Sequence, residues 1–323
     1  MHPIVRFLKL PMLGSILALS ACAGGSIESG DKATTFAPVT LVALGDMPYR
    51  PGDIPAFEAL LDTINATPHD VTIHVGDIKG GGSPCTDALF HRQRDYLDSV
   101  AGPLIYIPGD NEWTDCHRTS AGGYDPLERL ALLREVFFVE GMSLGQNPLA
   151  VVQQSTHGET KSGLIENMRW HQNGVAFITA HVVGSNNGLN PKDPSAVAEY
   201  EARNAANVAW IEDGFARAKR ERAAVVVLGI HGDPFLTYGV GGGFRDTLAA
   251  ISQGALEFGG PVLVIHGDGH EYTVDTPFQG PDGGVLANVF RVEVPGAADI
   301  LAVRVKIDLS ARTVFAFELI APN

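Results

Sequence analysis

Five apolar runs in this chain end in Gly-Asp: LVALGD at Asp46, VTIHVGD at Asp77, LIYIPGD at Asp110, VVVLGIHGD at Asp233 and VLVIHGD at Asp268. Each run is short, β-branched and continuous rather than alternating, the pattern of a strand buried on both faces of a parallel sheet. Glycine lets the backbone turn sharply at the strand end, and the aspartate then stands at the carboxyl edge, where open α/β sheets bind ligands. Carboxylates gathered at one edge repel one another unless positive charge lies between them. The repeated motif therefore predicts a metal-binding edge, with Asp233, next to Pro234, read as a chain-turning residue rather than a ligand.

The surrounding pattern predicts an α/β fold. Strands near 40–44, 71–75 and 104–107 alternate with amphipathic helices near 54–66 and 86–100, giving two βαβ units. A helix near 126–138 follows, then a hairpin of strands 164–170 and 175–181 around Asn173-Gly174, a type I′ turn signal. The second half reads as a long helix (195–220), a strand (224–229), a helix (245–258) and a strand (262–265). It closes with an antiparallel finish of strands near 285–294, 300–307 and 313–319. With 45% hydrophobic residues the chain can fill one large core, so 37–323 is expected to form a single domain. The formal charge of −14 argues against a nucleic-acid surface, which needs clustered Lys and Arg. No G-x-S-x-G elbow is present, which removes a serine hydrolase of that type.

Residues 1–21 read as a signal peptide, with Arg6 and Lys9 before a short apolar stretch and Leu19-Ser20-Ala21-Cys22 at its end. That tetrapeptide resembles a bacterial lipobox, which makes Cys22 the lipidated residue and 22–36 a flexible tether; the alternative is an ordinary secretory signal cut nearby. Ala23 is not the aspartate that signals inner-membrane retention, so the expected location is the periplasmic face of the outer membrane, with the lipid anchor as the only membrane contact. Export leaves Cys85 and Cys116 in an oxidising compartment, in the loops after Asp77 and Asp110. Neighbouring strands would bring those loops together, and a disulfide between them would contribute about 3 kcal/mol in the chain-entropy model. Two free thiols or a soft-metal site are the other readings.

In order along the chain, Asp46, Gly76-Asp77, Gly109-Asp110-Asn111-Glu112, His231 and Gly267-Asp268-Gly269-His270 resemble the five sequence blocks of calcineurin-like metallophosphoesterases. The resemblance runs from about Leu41 to Thr276 and includes Trp210-Ile211-Glu212 on the long helix. It implies a four-layer αββα sandwich holding two divalent metal ions. One metal would take Asp46, bridging Asp77 and His270. The other would take Asp77, Asp110 or Asn111, His231 and Asp268. Asn111 and His231 become the candidate catalytic residues, and Lys79 and Arg118 the candidate contacts to substrate phosphate.

Three imidazoles of the family pattern are missing, because Pro48, Asn111 and Asp268 stand where histidines are expected. More oxygen and less nitrogen tilts the site toward Mn, Mg or Ca over Zn. The leaving group would have to be protonated by another group, with His117, His181 and solvent as candidates. The implied activity is hydrolysis of a phosphate mono- or diester by a metal-activated hydroxide. The alternative is a catalytically weak or inactive metal-binding envelope lipoprotein serving as a binding or structural module.

Overall fold

The computed structural model describes residues 36–156, 163–236 and 242–323. The signal peptide, Cys22 and all of the tether but residue 36 lie outside the described residues. The first sheet begins with β1 (Val39–Leu44), α1 (Ile54–Ala66), β2 (Val71–His74), α2 (Asp87–Asp98) and β3 (Leu104–Tyr106), the two predicted βαβ units. Local chemistry sets the helix starts. Thr86 accepts from Leu89 N at 3.2 Å to cap α2. Asp125 accepts from Leu127 N and Glu128 N ahead of Pro126, which opens α3 (Pro126–Phe137).

The second sheet is entered through β4 (Val152–Gln153), β5 (Met168–Gln172) and β6 (Val175–Thr179). Asn173 and Gly174 have φ of 45° and 78°, so the predicted Asn-Gly turn joins β5 to β6 with both central residues left-handed. A single turn, α4 (Gly184–Asn187), precedes the long helix α5 (Pro194–Arg220). Then come β7 (Val225–Gly229), α6 (Arg245–Phe258), β8 (Val262–His266), β9 (Thr273–Asp275), β10 (Val289–Glu293), β11 (Ala302–Ile307) and β12 (Phe315–Ile320). Strand order is β12-β11-β1-β2-β3 in one sheet and β4-β5-β6-β7-β8-β10-β9 in the other.

Side-chain alternation shows how the layers stack. Phe177, Val225, Val227, Leu263 and Ile265 join the core that also holds β1, β2, α1 and α2. Their neighbours Ala176, Ile178, Val226, Leu228 and Val264 join a second core with Trp210 and Ile211 of α5 and Ile251 of α6. A strand sends alternate residues to opposite faces, so the second sheet is covered by the first sheet on one side and by α5 and α6 on the other. The fold is the αββα sandwich of the metallophosphoesterase type. Among the described residues no helix is long and apolar enough to cross a membrane.

The expected antiparallel finish is divided between the sheets. β10 inserts parallel to β8, whereas β11 crosses back to pair antiparallel with β1 in the first sheet, and β12 pairs antiparallel with β11 at that sheet's edge. β10 and β11 are both largely buried between neighbouring strands, while β12 at the edge exposes several positions. A hydrophobic pattern reports burial but not which sheet a strand joins.

Glu166 and His181 form a fully buried pair at 2.8 Å, joined by Arg134 at 2.6 Å. Burial alone would raise the Glu166 carboxyl, but the hydrogen bond and charge of His181, with Arg134, hold it near 2 against an ordinary 4.5. Because the folded value is depressed, this stabilisation is complete above about 4.5 and fades as the pH falls toward 2. Glu166→Gln is expected to cost about 3 kcal/mol at neutral pH and to flatten the dependence of stability on pH in that acid window, measured by denaturant unfolding.

Candidate metal centre

The strand ends of the two sheets meet at one edge, and the chain turns there through strained backbone. Asp46, Asp77, Asp268 and His270 have φ of 56°, 54°, 72° and 67°, in the left-handed region that side-chain-bearing residues seldom adopt. Tight neighbours make the turns possible. A Cβ on Gly109 would fall 2.1 Å from Asp77 Oδ1, and one on Gly267 would fall 2.2 Å from Asp46 Oδ2, so only glycine permits these carboxylates to lie against the adjoining loops.

Four of the five strand-end aspartates converge with two histidines. Asp46, Asp77 and His231 each bring one donor atom within 4.8 Å of the other two, and so do Asp110, His231 and Asp268. His231 is central. Its Nδ1 lies 2.7 Å from Val75 O, which places the proton there and turns Nε2 toward Asp110 Oδ1 at 3.2 Å and Asp77 Oδ1 at 3.4 Å. His270 Nε2 stands 3.4 Å from Asp46 Oδ1 on the opposite side. Asn111 and Asp110 occupy different faces: the Asn111 amide donates to Asp77 Oδ2, whereas Asp110 Oδ2 accepts from Ser185 at 2.6 Å. Asp233 is buried beside this group, and its backbone N donates to Asp268 Oδ2 at 3.2 Å.

The electrostatics match a cation-binding edge. Burial raises the Asp77 carboxyl well above the ordinary range despite the opposing pull of His231. Burial, then the charge of Asp110, lifts Asp268 to about 7. Burial opposes protonation of His231, yet Asp77 and Asp110 outweigh it and raise its value. The converging donors are oxygen and imidazole, which suit hard or borderline divalent ions.

Tyr49 was not evident as a site residue from the sequence. Its hydroxyl lies 3.2 Å from Asp46 Oδ1, 3.0 Å from Asp77 Oδ2 and 3.0 Å from His270 Nε2. The available signal was its place directly after Pro48, the position where the family pattern has a histidine. In the sequence Glu112 stands out only as the last residue of the third block, yet its Oε1 accepts from Asp77 N, Gly109 N and Tyr106 Oη at 3.1, 2.8 and 2.7 Å. It clamps the loops after β2 and β3 together.

The candidate phosphate contacts differ in setting. Lys79 is buried, its Nζ donates to Gly80 O at 3.1 Å, and desolvation lowers its pKa against the pull of Glu112 and Asp77. Arg118 is half-exposed and paired with Asp115 at 2.6 Å, on the wall of a cavity of about 400 Å³. His117 lines the same cavity, whereas His181 is sealed in the core against Glu166 and is corrected from proton donor to structural residue. The Cys85–Cys116 disulfide is present, with a Cα–Cα distance of 5.8 Å.

A two-sheet αββα sandwich with acids and imidazoles gathered at its strand ends defines the metallophosphoesterase class of fold. The family model for calcineurin-like phosphoesterases matches residues 39–272, and the chain belongs to that family. No curated protein matches the chain in sequence. Among solved structures, the chain is similar to GAP50, the anchor in the inner membrane complex of Plasmodium, with 10% identity, a TM-score of 0.50 and coverage of 88% of this chain and 85% of that one. It is also similar to the purple acid phosphatase PPD1 from yellow lupin (Lupinus luteus) seeds, with 14% identity, a TM-score of 0.54 and 89% coverage. The match spans 52% of that longer protein. At these identities the likeness is one of fold.

Removing Glu112 strips three buried donors of their acceptor. Glu112→Ala is expected to lower stability by about 3 kcal/mol or more, read from thermal or denaturant unfolding.

Proposed function

We propose that this protein is a metal-dependent phosphoesterase that hydrolyses a phosphate mono- or diester. The observation that carries the reading is the convergence of Asp46, Asp77, Asp110, His231, Asp268 and His270 on one edge, with the His231 ring already oriented by Val75 O. One divalent ion would be held by Asp46, Asp77, His270 and the Tyr49 hydroxyl, which supplies an oxygen on the side where Pro48 has none. The other would be held by Asp77, Asp110, His231 and Asp268, with Asn111 alongside. When bound, such ions acidify water and neutralise charge on the departing oxygen.

The chain's own residues bind and orient the ester. The Asn111 amide supplies hydrogen bonds near the phosphoryl oxygens, the buried Lys79 adds positive charge without reaching the surface, and Arg118 supplies a planar cation at the cavity wall. Ser185 joins Asp110 to that cavity, which receives the alcohol portion of the substrate. His117 lines it as a proton donor to the leaving group. Oxygen-rich donors favour Mn, Mg or Ca over Zn. We further propose anchoring through lipidated Cys22 at the periplasmic face of the outer membrane; the Cys85–Cys116 disulfide supports export to an oxidising compartment.

Chelated protein should regain hydrolysis of nitrophenyl mono- or diesters when Mn, Mg, Ca or Zn is restored, and Asp77→Asn should lose more than about 100-fold. Turnover absent with every metal, or unchanged in that variant, would move the protein to the binding role. Tyr49→Phe is expected to weaken metal binding by about 10-fold, measured by titration calorimetry on the chelated protein.

A further inference from the structure

We propose a second, separate cation site formed by Asp233, His266 and Glu293, taking one divalent first-row transition ion of the Mn or Zn type. The three side chains come from the loop after β7, the end of β8 and the end of β10, and each brings a donor atom within 4.8 Å of the other two. They are 4%, 0% and 4% exposed. His266 supplies the independent sign of a ligand. Its Nδ1 lies 2.9 Å from Gly267 O, which places the proton there and leaves Nε2 with a lone pair. That Nε2 is buried without a hydrogen-bond partner, an arrangement that native interiors rarely tolerate. His74 and His181 also bury an unpartnered Nε2, but among the described residues neither belongs to a three-donor cluster.

The carboxylates are held in place for a shared ligand. Asp233 Oδ1 accepts from Phe235 N at 2.7 Å and Glu293 Oε1 accepts from Glu271 N at 3.2 Å, leaving the second oxygen of each for another partner. Arg291 brings one positive charge, but it lies 3.7 Å from Asp233 and spends Nε and Nη2 on Asp275 at 2.7 and 2.6 Å. Two buried carboxylates therefore face one distant, divided cation. A divalent ion would balance both and satisfy His266 Nε2. One imidazole and two carboxylates are the mixed donors that suit Mn or Zn, and three protein ligands are sufficient for such an ion.

The place of this cluster gives it a role. A Cβ on Gly269 would fall 2.2 Å from Glu293 Oε1 and 3.3 Å from Asp233 Oδ2, so the turn bearing Asp268 and His270 rests directly on the cluster. Asp233 N also donates to Asp268 Oδ2. An ion here pins that turn from behind and acts as a positioning element for the strand-end centre.

The test uses the full-length protein, stripped with chelator and dialysed against Mn²⁺ or Zn²⁺. Metal analysis should show Glu293→Gln binding one ion fewer than the unaltered protein, and Asp77→Asn keeping at least one. Anomalous diffraction at the metal edge from crystals of the unaltered protein should place a peak among Asp233, His266 and Glu293. No peak there with either metal, or an unchanged ion count in a folded Glu293→Gln, overturns the proposal. The diffraction result stands if that variant does not fold. Neither readout depends on turnover, so a protein without phosphoesterase activity leaves this test intact.

Discussion

Mutual repulsion of carboxylates at one sheet edge is the constraint around which the rest of this structure is arranged. Asp46, Asp77 and Asp110 are buried there with Asp268 partly exposed beside them, and buried charges interact more strongly than charges in solution. The fold answers with backbone donors and rigid turns. Asp46 accepts from Asp268 N at 3.2 Å, Asp77 accepts from Asn111 N at 3.0 Å, and Glu112 holds the underlying loops. Each carboxylate is thereby fixed before any ligand arrives. The strained backbone is maintained by two sheets whose shared core ends at this edge.

Much of this was legible in the sequence, because the governing signals were strong and local. Continuous β-branched runs ending in Gly-Asp mark buried parallel strands and the edge where their aspartates gather, and Asn173-Gly174 marks the tight turn between β5 and β6. What was not legible depended on three-dimensional partners. β10, β11 and β12 all read as strands, yet their division between two sheets depends on pairing far along the chain. Tyr49 was hidden because a motif is read at fixed positions, whereas a phenol one residue further on reaches the same point with a longer side chain. Asp110 and Asn111 looked like alternatives for one role, but adjacent residues leave the turn in different directions, and each faces its own neighbours.

The departures from the family pattern share a direction. Proline, asparagine and aspartate replace imidazoles, while a phenol hydroxyl approaches from an unexpected residue. The centre becomes richer in oxygen and more negative, and it relies more on fixed backbone geometry than on neutral nitrogen ligands. The same preference extends behind it, where Asp233 and Glu293 share a buried space with His266.

The disulfide sits closer to this chemistry than a simple staple would. Both sulfurs lie 3.6 Å from the carbonyl oxygen of Asn111, so the covalent bridge backs the residue whose amide reaches Asp77. A freshly made chain in a reducing interior carries two thiols at that point, and the bridge closes only under oxidising conditions. The order of the Asn111 loop is therefore tied to the oxidation state of this one bridge.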